Sequence, residues 1–132
     1  MASIFYNAVS YQSQFERAIQ YYNGVGAYLT KQWPDDIAKG VNAVYGMNMI
    51  TGIATMTTNL QTAAALTWLD SYAQAQLGQA GFVAQINTLI SNLQAISDWL
   101  VARVPNATAG TTYTSAQLAG LTTLIETAAA AL

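Results

Sequence analysis

The chain has 132 residues, of which 8% are charged and 53% hydrophobic, and its net charge is −2. That length fits one domain with a core of its own. It contains neither cysteine nor histidine, which excludes a disulfide framework, thiol chemistry, and the triads and zinc sites built on those residues.

The first predicted helix covers 3–22. Ile4, Ala8, Tyr11, Phe15, Ala18 and Tyr22 recur at steps of four and three and fall on one stripe. Asn23-Gly24 reads as its C-terminal stop, because both residues tolerate a left-handed backbone. Residues 27–33 fit no single pattern. Trp33-Pro34-Asp35-Asp36 reads as a helix start, with proline in the first turn and two carboxylates at the positive end. Ile37, Val41 and Val44 continue with helical spacing, as do Met49, Ile53, Met56 and Leu60. Gly40, Gly46 and Gly52 and several threonines oppose a helix here, so a strand over 50–58 is the alternative. Helical signal returns over 61–77, with Ala64, Trp68, Tyr72 and Ala75 on one face and Leu66, Leu69 and Ala73 close by. Gly78 and Gly81 then bracket a turn.

The clearest helix runs from Phe82 to Arg103. Phe82, Ile86, Leu89, Leu93, Ile96 and Leu100 form a coiled-coil-like stripe, Arg103 suits the negative end, and Pro105 blocks continuation. Thr114-Ser115-Ala116-Gln117 is a capping box for the last helix, which presents Leu118, Leu121, Ile125, Ala128 and Leu132. The expectation is an all-α fold, a helical bundle of four to five helices in a single domain over 1–132.

Ordinary soluble domains carry about 25% charged residues. The ten here are Glu16, Arg17, Lys31, Asp35, Asp36, Lys39, Asp70, Asp98, Arg103 and Glu126. A surface this poor in charge fits either a monomer coated with uncharged polar groups or a chain whose surface meets other subunits. Interface cores are depleted in Lys, Glu and Asp and enriched in Tyr, Trp, Phe and Met, and the chain has eight Tyr, three Trp and four Met. The candidate contact residues are Tyr6, Tyr21, Tyr22, Tyr28 and Trp33 in the first quarter, with Met47 and Met49 beyond it. The four basic side chains form no patch, so nucleic acid is not an expected partner. Three uncharged stretches, 40–69, 71–97 and 104–125, are long enough to span a bilayer. They carry too many amides and hydroxyls to do so, and a membrane is not an expected partner either. The N-terminus has no basic region or continuous apolar run of a secretory signal.

Catalytic readings find little support. Gly24-Val25-Gly26 lacks the further glycine and the preceding strand of a phosphate loop. Asp35 and Asp36 belong to a helix start. Asp70 and Asp98, each near a tryptophan, could pair only if the fold brought them together. Asn106-Ala107-Thr108 matches a glycosylation acceptor and reads as an ordinary turn. No enzyme activity, metal or cofactor is expected.

The weakly charged, Thr/Gln/Asn/Ala-rich helices resemble small helical proteins of viral structural modules, tailed-bacteriophage virions above all. Two segments carry the likeness, QINTLISNLQAISDWL and VPNATAGTTYTSAQLAGLTTLIETAAAAL. It covers about the C-terminal half, is one of composition rather than motif, and transfers no functional residue. Coat proteins of archaeal filamentous viruses are similar in size, but those that clasp DNA imply more Lys and Arg than occur here. The resemblance implies a capsid, neck, tail or decoration subunit assembled in the host cytoplasm into a virion, with copies of itself or other virion proteins as partners. The other reading is a small helical adaptor or inhibitor that engages one host or viral protein.

Overall fold

The computed structural model describes the backbone of residues 2–38, 41–103, 112–114 and 116–132, with side chains for 12–37, 41, 46–103, 113–114 and 116–132. The protein is an all-α helical bundle. In chain order it comprises α1 (Ala2–Ala27), a π-helical turn (Tyr28–Gln32), α2 (Trp33–Ala38), β1 (Val41–Asn42), α3 (Ala43–Ala64), α4 (Leu69–Leu77), α5 (Phe82–Arg103), β2 (Thr112–Tyr113) and α6 (Ala119–Ala130). Because α1, the π turn and α2 run on without a break, these elements make five rods. β1 and β2 form a two-residue antiparallel ladder, Val41 opposite Tyr113 and Asn42 opposite Thr112. The bundle centres on α5, which packs against α3, α6 and α4, while α1 lies against α3 and α4.

α5 follows its sequence pattern closely. All six residues of its stripe are buried, and they face Met49, Ile53 and Leu60 of α3 and Leu121, Ile125 and Ala128 of α6 in one cluster. The Val83 backbone N–H donates to Asp70 Oδ1 at 2.8 Å, so a carboxylate from α4 caps the first turn of α5. At the other end the Tyr113 hydroxyl donates to the Arg103 carbonyl, and Arg103 lies over the Trp99 ring, 4.4 Å from its centroid. Gly78 and Gly81 have φ of +65° and +76°. They close the α4–α5 turn in a conformation that costs other residues energy.

The strand alternative over 50–58 gives way to helix. The exposed threonines of α3 are accommodated because Thr51, Thr55, Thr58 and Thr62 each donate their hydroxyl to the carbonyl four residues earlier. Two expected boundaries also move. Asn23-Gly24 does not stop the first helix, because Val25 and Leu29 continue its buried stripe. Their burial, worth about 2 kcal/mol each, outweighs the roughly 1 kcal/mol that a helical glycine costs. The helix expected over 61–77 breaks after Ala64. There the Leu66 N–H turns back to the Ala63 carbonyl and the Leu69 N–H to the Leu66 carbonyl. This brings Leu69 and Ala73 into the core in place of the expected face, leaving Trp68 and Tyr72 half-buried and Ala75 exposed.

The π turn has its cause in the sequence. Val25, Leu29, Trp33, Ile37 and Val41 are all buried and all four residues apart. An α-helix turns once in 3.6 residues, so a strict four-residue repeat would walk round the helix. Bonding to the residue five back, here the Trp33 N–H to the Tyr28 carbonyl, widens the turn and keeps the repeat on one side. The hydrogen bonds of the expected capping box form, but ahead of the helix, whose own N-cap is Leu118 with no side-chain cap bond. The Thr114 N–H donates to Gln117 Oε1 and the Gln117 N–H to Thr114 Oγ1, at 2.8 and 3.3 Å. They bracket a turn that precedes α6. Pro105 and Asn106-Ala107-Thr108 lie outside the described residues.

Candidate functional site

The fold divides the expected contact residues into three groups. Trp33 and Met49 are core residues, 0% and 2% exposed, so neither supplies contact surface. Their burial follows from the phase of their helices, and Trp33 also takes the edge of Tyr28 at a centroid distance of 4.6 Å. Tyr21, Tyr22 and Tyr28 are half-buried and packed on the core. Tyr22 lies 5.6 Å from Phe82, in a chain of ring contacts that continues through Phe15 and Tyr72 to Trp68. Phe15 and Tyr22 therefore help hold α1 to α4 and α5. Met47 is 47% exposed, as a contact residue requires, and the side chain of Tyr6 lies outside the described residues.

What the fold does bring together is a pair of grooves flanking α1. On the α3 side, one hollow of about 250 Å³ is lined by Tyr21, Gly24, Tyr28, Met56 and Asn59. It continues past Tyr21 into a second, of about 130 Å³, lined by Arg17, Ala18, Thr62, Ala63 and Leu66. On the α4 side, Phe15, Glu16, Ile19, Gln20 and Leu77 line a shallow cleft of about 390 Å³. Among the described residues, the large apolar side chains most open to solvent are Met47 on α3, Leu77 on α4, Val101 on α5 and Leu132, with Leu77 52% and Val101 50% exposed. Sequence reasoning missed Leu77 and Val101. Val101 falls off the α5 stripe, which is a readable signal. Leu77 ends its helix beside Gly78 and has no such mark.

The carboxylates do not converge. Asp70 caps α5 at Val83, whereas Asp98 accepts from Gln94 Nε2 near the other end of the same helix. Fifteen residues of α-helix separate Val83 from Asp98 by about 22 Å, whereas the carboxylates of a glycosidase pair stand about 5–10 Å apart. Asp35 and Asp36 lie in α2, which continues α1 and the π turn without a break, so Trp33-Pro34-Asp35-Asp36 is not the expected helix start and the two carboxylates face no free helix N-terminus. Glu16 accepts from Gln12 Nε2. Among the described residues no group of three or more acidic side chains could hold a metal ion, and no helix is long and apolar enough to cross a membrane. The chain matches no protein-family model, no curated protein and no solved structure.

Proposed function

We propose that the protein is a non-enzymatic structural subunit that works by protein–protein assembly, and that its setting is a virion, as a capsid, neck, tail or decoration component. The observation that carries the assembly reading is the scarcity of charge: only 8% of the residues are charged, and Met47, Leu77, Val101 and Leu132 add exposed apolar side chains. Monomers normally keep themselves soluble with mixed surface charge, whereas interface cores are depleted in Lys, Glu and Asp and enriched in aromatic residues and Met. The virion setting rests on the compositional likeness of the helices to viral structural proteins. The non-enzymatic reading rests on the lack of histidine and cysteine and on the separation of Asp70 from Asp98.

The continuous groove on the α3 side of α1 favours a second reading, an adaptor that holds one segment of a host or viral protein. Light scattering on the purified protein after size exclusion, with negative-stain microscopy of the same sample, separates the two. The first reading expects a ring, tube or lattice. A protein that stays monomeric from micromolar to millimolar concentration refutes self-assembly and leaves two options, decoration of a pre-built particle or the adaptor.

A further inference from the structure

The two flanks of α1 differ in a complementary way. Consecutive helical residues point about 100° apart, so Glu16 and Arg17 fall on opposite sides of the outer ridge of the helix. Glu16 borders the α4-side cleft and Arg17 the α3-side groove. Neither has an ion-pair partner among the described residues. The Glu16 side also carries a knob, Leu77, 52% exposed. The Arg17 side carries a hole, the hollow of about 130 Å³ walled by Ala18, Ala63 and Leu66, which is enough for a leucine side chain. Knob and hole lie at the same height along α1, since both are built around residues 14–21. Farther along the groove is Gly24. It is exposed, its φ is not positive, and a Cβ there would meet nothing within 4 Å. Neither a turn nor packing within one chain requires a glycine at this point in a helix, where glycine is a poor choice.

We infer that the α3-side groove of α1 receives the α4 side of a second copy of this chain, with Leu77 of one copy seated beside Arg17 of the next and Glu16 paired to that Arg17. The inference rests on the assembly reading and names the surface used. Opposite charges face each other across the contact, and Leu77, more exposed than Leu132, enters an apolar hollow. Each copy carries both flanks, on different sides of α1, so the contact is between unlike surfaces and repeats from copy to copy. Contacts of that kind build rings or filaments.

The test is assembly of the full chain, followed by light scattering, with circular dichroism reporting the fold of each variant. Leu77→Asp weakens association about 10- to 100-fold, the effect of losing one buried leucine, while circular dichroism still shows the helical fold, because Leu77 is half exposed in the single chain. Gly24→Gln raises Tm and weakens association, since the new side chain occupies the groove. Glu16→Arg and Arg17→Glu each place like charges across the contact and weaken association. Mixed in equal amounts, these two variants regain wild-type association, because every contact between unlike variants is again Glu against Arg. A wild-type protein that associates while Leu77→Asp and Gly24→Gln leave association unchanged overturns this inference and leaves the assembly reading standing. So does a mixture that fails to associate. A monomeric wild type overturns this inference together with self-assembly.

Discussion

Trp33→Phe sets two opposing effects against each other at one buried position. Trp33 is fully buried, and its Nε1 has no hydrogen-bond partner among the described residues. A buried donor without an acceptor costs about 1–3 kcal/mol. Phenylalanine removes that donor but leaves a void of a few tens of Å³, about 1 kcal/mol at roughly 24 cal/mol per Å³. The apolar atoms lost with the indole cost about 1 kcal/mol more. The two sides nearly cancel, so Trp33→Phe should lie within about 1 kcal/mol of wild type, whereas truncating a buried aromatic to alanine typically costs about 3–5 kcal/mol. Urea denaturation followed by circular dichroism measures the difference, with an unchanged slope required for the comparison. A loss of about 3 kcal/mol or more for Trp33→Phe would show that the indole N–H is satisfied in solution and would refute the reasoning.

Other substitutions probe features of the fold separately. Asp70→Ala removes the side-chain cap of α5 and should destabilise by about 1 kcal/mol, read as a fall in urea midpoint; an unchanged midpoint contradicts the capping role. Gly81→Ala forces a Cβ into the left-handed region and should cost about 1 kcal/mol, whereas the same change at Gly24 should stabilise by a similar amount. Thermal melts check the opposite signs.

How far the sequence could be read depended on whether the deciding contacts were local. The extent of α5 was legible because its stripe, its flanking glycine and Pro105 all agree within one segment. The capping box at Thr114 and Gln117 was legible for the same reason. The rod from α1 to α2 was not, since Asn23-Gly24 is a sound local stop and only the distant partners of Val25 and Leu29 override it. The cap on α5 comes from Asp70, thirteen residues before Val83, so no pattern around Phe82 could reveal it. Composition flagged an aromatic, Met-rich contact surface without distinguishing inside from outside. Met47 and Met49 make the point: two residues apart on one helix, they point in nearly opposite directions, one to solvent and one to the core. The grooves beside α1 depend on how α3 and α4 are placed, which no residue in α1 announces.

The threonine hydroxyls along α3 have a consequence for hydration. Each of the four gives its proton to its own helix, as do Thr88 on α5 and Thr123 and Thr127 on α6. A free hydroxyl must be supplied with a new acceptor when water leaves it, or its burial is penalised. These protons keep their acceptors whether the face is wet or dry. The outer surfaces of three helices can therefore be dried at a lower desolvation cost than a count of their polar residues suggests.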